Sequence, residues 1–468
     1  MNDRKRIAAF VLSDLIFSLI AWILFNILRY YSVGADTGFN SLESFLLHGK
    51  AIALDIIVPC FWIALSALSG YYHAPRKKSA GTDLLHTLVI GLSGTLLIFF
   101  TVIINDLPES YTKYYELIII LFVVQMILLI VPRTIILSRI HKAYLKGKCG
   151  IPTLIIGSGK EAARLLEQFQ AQRNNSHDLI VGCIATNDSQ TDAKHILGNM
   201  DDLANIIQSH HIEHLIVALD NTDESMLQDC LNLLYRYRLE IHAYPFAGKS
   251  HGNNISLNAV NGIPLRRITP MGMQAWELNL KRLADILLSC LGLLIISPLM
   301  LYLMLRVKLD SKGPVFFTQE RLGRGAKPFK IIKFRTMFTD AEANGPQLSS
   351  ANDKRITPFG AFMRRYRLDE LPQFINVIKG DMSLVGPRPE RLFYATQILE
   401  KAPYYELVYS VRPGITSLGM AKYGYANNVE KMIQRLDYDI IYLSQASLLM
   451  DLKILAFTIK PLVSGSGV

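Results

Sequence analysis

Between Arg364 and Pro389 the chain sets two adjacent carboxylates, Asp369 and Glu370, beside Arg364, Arg365 and Arg367, and it closes on Arg388 held between Pro387 and Pro389. These residue types make an anion site with carboxylates in it. Guanidinium forks bind phosphate oxygens bidentately. Carboxylates perform two tasks that a phosphate-processing site needs, covalent attack and the holding of Mg2+. Proline fixes φ on both sides of Arg388, which suits a defined ligand. A structural reading of the same pair stays open: acidic residues favour helix N-termini and pair with neighbouring arginines.

The stretch is one of several blocks. Lys281-Arg282 precedes an apolar run that contains Ser297-Pro298. Phe317 to Arg321, Phe329 to Met337, Leu368 to Gln373, Lys379 to Ser383, Gly386 to Pro389 and Arg412 to Thr416 follow in order. Taken together, Leu280 to about Thr458 resembles the bacterial polyprenyl-phosphate phosphoglycosyl transferases of the monotopic type. The apolar segments and α/β region upstream are similar to the large members of that family.

The resemblance implies transfer of a sugar 1-phosphate from a UDP-sugar to undecaprenyl phosphate, with release of UMP, at the start of exopolysaccharide, capsule or O-antigen synthesis. It further implies that Asp369 is the nucleophile and Glu370 the ligand of Mg2+, with Arg364 and Arg388 neutralising phosphate oxygens. Lys333, Arg335, Arg412 and Asp439 are the remaining candidates for phosphate or uridine contacts. Where the family commonly carries Gln-Val-Asn-Gly-Arg, this chain has Met420-Ala421-Lys422-Tyr423-Gly424-Tyr425, so the donor sugar is left open.

These residues need elements to position them. The 468 residues suffice for about three domains, and half are apolar, which directs attention to membrane segments. A net charge of +10 suits an anionic bilayer face or phosphorylated ligands. No aromatic-interleaved basic array supports nucleic acid as a partner. The five cysteines are scattered without a Cys-x-x-Cys pair, so neither zinc nor a disulfide framework is indicated.

Four apolar segments, Ile7 to Leu28, Ala51 to Leu68, Leu84 to Ile104 and Leu117 to Leu137, are each near the length of a bilayer core. The first is expected to be an anchor, since it lacks a cleavage site and others follow it. Basic residues lie at Arg4 to Arg6, at Arg76 to Lys78, and at Arg139, Lys142, Lys146 and Lys148; the other loops carry Asp36, Glu43, Asp106, Glu109 and Glu116. The positive-inside rule then predicts a four-helix transmembrane bundle over residues 1–142 with both termini in the cytosol. Asp14 and Asp55, in or near the spans, are candidates for a transport path.

From Ile151 the pattern changes to strand-helix alternation, predicting a Rossmann-like α/β domain over 143–250. Strands are expected at Pro152 to Ile156, Leu179 to Ala185 and His214 to Leu219, with Gly157-x-Gly159-x-x-Ala162 as the turn between the first strand and its helix. No acid closes the second strand, where Thr186 and Asn187 stand, so an assembly or regulatory role is favoured over dinucleotide binding. The Gly- and Asn-rich Gly248 to Pro270 reads as a linker, placed at 251–278 in the domain division, and a monotopic catalytic domain is expected over 279–468.

That domain opens on the apolar Ile286 to Leu305, long enough to span a bilayer. Two features oppose a span: Ser297-Pro298 sits in its middle, and both flanks are basic. The expectation is a re-entrant membrane helix over about 280–306, with its break at Ser297 and Pro298. Between Arg306 and Arg391, 17 Lys or Arg face 9 Asp or Glu, and basic residues alternate with aromatics in Phe329 to Phe334, a strand pattern. The whole reads as a multi-pass protein of the bacterial inner membrane, with its catalytic domain on the cytosolic face and a homodimer expected. Two rivals remain: a membrane-tethered NAD-dependent nucleotide-sugar dehydratase or epimerase, whose Tyr-x-x-x-Lys spacing occurs only at Tyr144 to Lys148, upstream of the glycines, and a non-catalytic assembly scaffold.

Overall fold

Long apolar runs become long helices, because a segment without water-facing positions satisfies its backbone most simply within itself. The computed structural model describes residues 3–33, 41–75, 78, 80–106, 110–146, 149–171, 177–186, 192–193, 195–220, 224–244, 263, 265–270, 272–339, 341, 345, 347 and 353–464. Asp36, Arg76, Lys77, Glu109, Lys148, Asn187 and half of the expected linker lie outside these residues. The N-terminal helices are α1 (Asp3–Val33), α2 (Leu42–Leu46), α3 (Gly49–Leu68), α4 (Ala80–Thr101) and α5 (Tyr111–Leu145). Phe10, Trp22, Trp62, Leu117 and Leu121, from α1, α3 and α5, share one buried core with Ile90 and Ile98 of α4. Arg133 of α5 is fully buried within it. Its Nε and Nη2 donate to the two oxygens of Asp14 (3.0 and 2.6 Å), and its Nη1 donates to Thr87 (3.0 Å). Tyr72 donates to the same carboxylate at 2.7 Å. Asp14 is thus engaged inside the helix group, where a fully bonded ion pair fixes register between helices. Asp55 is half-buried on α3.

The α/β region runs β1 (Ile151–Ile156), α6 (Lys160–Ala171), β2 (Asp178–Ala185), β3 (Ile196–Asn199), α7 (Leu203–Ser209), β4 (His214–Ala218), α8 (Glu224–Leu234), β5 (Glu240–Tyr244) and β6 (Arg266–Arg267). The sheet has the order β3-β2-β1-β4-β5-β6. β2 pairs with β3 and β4 with β5 in parallel, and β6 closes the edge antiparallel. The chain reverses its winding direction after β3, as in doubly wound folds. Every residue of β4 is buried, which its continuous apolar run requires of a central strand.

The C-terminal part begins with α9 (Ala275–Asp310), a single helix with Pro298 inside it, and continues with the hairpin β7 (Phe316–Leu322) and β8 (Pro328–Phe334). Then come α10 (Pro358–Arg365), α11 (Gln373–Lys379), β9 (Ser383–Val385), α12 (Leu392–Lys401), β10 (Gly414–Thr416), α13 (Leu418–Lys422), α14 (Val429–Gln445) and α15 (Leu448–Ser464). Among the described residues, five helices, α1, α3, α4, α5 and α9, are long and apolar enough to cross a membrane. On α9, Leu291, Leu294 and Ile295 are more than half exposed, as expected of a surface that faces something other than water.

Both ends of α9 are held by the same fold. Near its start, Lys281 donates to the carbonyl of Val385 (2.9 Å) and pairs with Asp451, Arg282 donates to the last carbonyls of α11 at Val377 and Ile378 (2.7 and 3.0 Å), and Asp285 accepts from Ser383 (2.8 Å). At its far end the Arg335 guanidinium donates to the carbonyls of Val307 (3.2 Å) and Ser311 (2.6 Å), capping the helix C-terminus. Between the two, Met300, Leu303 and Val307 pack with Phe334 and Met363.

Two motif glycines, far apart in sequence, meet in the β9–β10 pair. Gly386 donates to the Thr416 carbonyl and Gly414 to the Pro387 carbonyl (3.0 and 2.9 Å). A Cβ on Gly386 would lie 2.4 Å from the carbonyl oxygen of Arg412, and one on Gly414 would lie 2.1 Å from the nitrogen of Gly386. Only glycine allows this approach, and it fixes the start of the segment that carries Arg388.

Candidate active site

The carboxylates stand where α10 gives way to α11. Thr357 caps α10 by accepting from Gly360 (3.0 Å), with Pro358 at the first helical position, and the helix ends at Arg365. Arg367 then adopts a left-handed backbone (φ +54°), and a 3-10 turn over Leu368–Glu370 leads to α11. A non-glycine residue there costs about 1–3 kcal/mol and is kept where the surroundings over-determine it. The consequence is that Asp369 and Glu370 are buried yet line a cavity of about 340 Å3, the size of a small-ligand pocket.

Charge in this cavity is uneven: Arg321, Lys333, Arg335, Arg355, Arg364, Arg367, Arg388 and Arg391 line it against two carboxylates. Glu370 takes Lys333 on Oε1 at 2.9 Å, Arg388 on the same atom at 3.4 Å, and Arg367 on Oε2 at 3.7 Å. Burial opposes its charge, but these three cations outweigh burial and hold its carboxyl well below the usual range. Asp369 moves the other way. Burial, joined by the neighbouring Glu370 charge, raises its pKa despite Lys333 and Arg364. Burial also lowers the Lys333 ammonium, against the pull of Glu370. The two adjacent carboxyls thus divide into one held ionised and one more basic, a separation of pKa values that marks groups with different tasks.

The other expected residues are placed as follows. Arg364 lines the cavity and donates from Nε to Thr336 (2.9 Å). Arg335 borders the cavity, but its guanidinium is spent on the carbonyls that close α9 and on Pro314 (2.5 Å). Arg412 donates to the Gly380 carbonyl (3.0 Å) and is not among the cavity-lining residues. Ser297 donates to Leu294 one turn earlier on α9 (2.8 Å). Asp439 is buried on α14, accepts from the amide of Gly419 (3.3 Å), and does not line the cavity.

Burial pushes the Asp439 carboxyl up to about 6 from 3.8, against Arg435 and the bonds from Gly419 and Ser417. With the folded value above the unfolded one, the native state holds a proton that the unfolded chain releases. Stability therefore falls as pH rises from about 4 through 6, by up to about 3 kcal/mol. Asp439→Asn should flatten that part of the melting-temperature profile relative to the parent, whereas parallel profiles for the two proteins would contradict the assignment.

Several contributors were not among the expected site residues. Tyr394, Arg391 and Tyr425 line the cavity. Glu390, directly after the Pro-Arg-Pro run, is buried and accepts from Arg435 and from Arg321 (3.3 Å), and Arg321 also donates to the Pro389 carbonyl (3.1 Å). These bonds pin the segment that aims Arg388 at Glu370. A lone acid beside a motif gives no pattern from which the pairing could be read.

In the α/β sheet, Gly157 has φ +133°, and a Cβ there would sit 2.0 Å from the Ala218 carbonyl. The amides of Lys160 and Glu161, which open α6, donate to the carboxylate of Asp220 at 3.0 and 2.8 Å. A Cβ on Gly159 would stand 1.8 Å from that carboxylate. The helix N-terminus that would receive a pyrophosphate is therefore occupied by a carboxylate of the chain itself.

Residues 276–465 match the model of the bacterial sugar transferase family, and residues 67–245 match that of a CoA-binding domain. Among relatives, the chain is 40% identical over 188 residues to the UDP-N-acetylgalactosamine-undecaprenyl-phosphate N-acetylgalactosaminephosphotransferase of Aeromonas hydrophila, covering 40% of this chain and 44% of that protein. It is 34% identical over 264 residues to the UDP-glucose:undecaprenyl-phosphate glucose-1-phosphate transferase of Klebsiella pneumoniae, covering 56% and 57%. The matched regions thus span about half the length of these two relatives. The exopolysaccharide production protein PSS of Rhizobium leguminosarum bv. phaseoli is 39% identical over 198 residues, 41% of this chain and 99% of its own length. Since that match covers nearly the whole of a relative at 39% identity, and the family model matches residues 276–465, this chain belongs to the bacterial sugar transferase family.

Proposed function

We propose that the protein transfers a sugar 1-phosphate from a UDP-sugar to undecaprenyl phosphate, releasing UMP, as the initiating step of polysaccharide assembly. The observation that carries this reading is the pair of buried carboxyls with opposed pKa shifts in a cationic cavity. The names of the relatives, transferases acting from UDP-sugars on undecaprenyl phosphate, agree with it.

Asp369 attacks the phosphorus that bears the sugar; a carboxylate–phosphorus bond forms, the bond to the UMP oxygen breaks, and UMP leaves. An oxygen of undecaprenyl phosphate then attacks the same phosphorus, giving the lipid diphospho-sugar and freeing Asp369. Arg388 and Arg364 neutralise the phosphate oxygens, and Lys333 keeps Glu370 ionised. Glu370 would supply a hard oxygen donor that suits Mg2+, which is commonly held by one or two carboxylates with substrate phosphates. When bound, Mg2+ would offset charge on the diphosphate.

The anchors at both ends of α9 support a re-entrant helix, since a span would have to place Lys281 and Arg335, bonded into one fold, on opposite sides of the bilayer. α1, α3, α4 and α5 are proposed as a four-helix transmembrane bundle of the bacterial inner membrane, with the catalytic part cytosolic, Asp369 reached by soluble donor, and the whole acting as a homodimer. In a cysteine-free background, cysteines at Asn279 and Ser311 should then react with an impermeant reagent from the same side; labelling from opposite sides would end the re-entrant reading. The Asp220 carboxylate in the glycine turn favours an assembly or regulatory role for the α/β domain over a redox one.

The reaction itself is tested by incubating the purified full chain with a panel of UDP-sugars and undecaprenyl phosphate. UMP and a lipid diphospho-sugar should appear together with at least one donor. Neither product from any donor would reject the activity.

A further inference from the structure

Behind Glu370 lies a second cavity, and its character is the reverse of the first. Of about 140 Å3, it is walled by Leu371, Phe374, Ile415 and Ala421, and Arg367 and Glu370 line both cavities. Thr416 and Thr458, also on its wall, have their hydroxyls bonded to each other (2.9 Å). Arg388 belongs to the partition too: it reaches Glu370 on one side and the sulfur of Met420, a wall residue of the apolar cavity, on the other. Phe374 stands beside Gly292, midway along the exposed apolar surface of α9, where a Cβ would lie 3.8 Å from its ring.

An apolar cavity that ends in a guanidinium fits a hydrocarbon with an anionic head. A void of ~150 Å3 takes a hydrocarbon the size of benzene, so this one has room for a single short branched unit. A UDP-sugar offers no such group, because its uracil, ribose, phosphates and sugar are all polar. We propose that this cavity holds the first isoprenoid unit of the acceptor lipid, its phosphate turned toward Arg367 and the septum. The inference rests on the transferase reading and adds to it a separate acceptor subsite on the far side of Glu370. It also gives the Met420 to Tyr425 run two duties: Met420 and Ala421 wall the acceptor cavity, while Tyr425 lines the donor cavity.

The test uses the full chain in lipid nanodiscs with farnesyl phosphate carrying a diazirine on its first isoprene unit. Photolabelling should map to the peptides that hold Phe374 and Ile415 to Ala421. Excess undecaprenyl phosphate should suppress it, and dioleoyl phosphatidic acid should not. Ala421→Phe, which fills the cavity, should reduce the labelling and raise KM for undecaprenyl phosphate about tenfold, with KM for the UDP-sugar changed by less than about twofold. Labelling that maps elsewhere, or equal competition by phosphatidic acid, overturns the subsite, and the wild-type map decides this even if the variant fails to fold. Labelling in the cavity without transfer from any UDP-sugar would instead reject the proposed activity and leave the prenyl phosphate subsite standing. Transfer with labelling elsewhere would do the opposite.

Discussion

Asp369→Asn is expected to lower sugar-phosphate transfer on the order of 10³-fold or more, because an amide is a far poorer nucleophile and every later step passes through the bond it fails to make. Without lipid acceptor, the parent protein should release UMP in a burst close to one per active site, and the variant should release none. Varying donor and acceptor together should give parallel lines in the parent. A burst retained in Asp369→Asn would place the nucleophile elsewhere, and kinetics of a ternary complex would make Asp369 a general base acting on the lipid phosphate. The raised pKa fixes the sign of the pH dependence: the rate climbs as Asp369 loses its proton, above the range of an ordinary carboxylate. Lys333→Met removes a cation that pulls this value down, so the limb should move to higher pH.

Glu370→Gln comes next in size. It leaves Lys333, Arg388 and Arg367 facing a neutral amide, and breaking a buried ion pair costs about 3–5 kcal/mol. Expressed in the organisation of the cavity, that corresponds to roughly 10²- to 5 × 10³-fold in rate. The concentration of Mg2+ needed for half-maximal rate should rise in the variant, and excess chelator should abolish the parent activity. A parent that keeps full activity in chelator, or a variant with an unchanged Mg2+ profile, would remove the metal from Glu370.

The dyad and its arginines were legible because they are neighbours in the chain: one short turn brings Asp369, Glu370, Arg364 and Arg367 to one cavity whatever the rest of the fold does. Lys333 was legible through the resemblance carried by Phe329 to Met337, not through periodicity, since the two lysines of β8 stand three apart and fall on opposite faces of the strand. Arg335 shows the limit of that motif, because its side chain closes α9 instead of entering the cavity chemistry. Arg412 and Asp439 reach their positions through contacts across 32 and 20 residues, with Gly380 and Gly419, which no periodicity encodes. Among the strands, β1, β2 and β4 were marked by buried apolar runs. β3, β5 and β6 were not, being short, partly exposed or set in polar sequence. In the glycine turn the sequence directed attention to a missing acid after β2, while the acid that matters follows β4 and arrives only through the fold.

That acid sets a threshold for any soluble ligand. A carboxylate on the same chain competes for the Lys160 and Glu161 amides as an intramolecular ligand, at an effective concentration in the millimolar range or above. A free dinucleotide at micromolar levels would have to displace it first. Removing one side chain, that of Asp220, would open two oriented amides and a tight glycine turn on an otherwise intact sheet. The α/β domain thus stands a single substitution away from an accessible anion pocket.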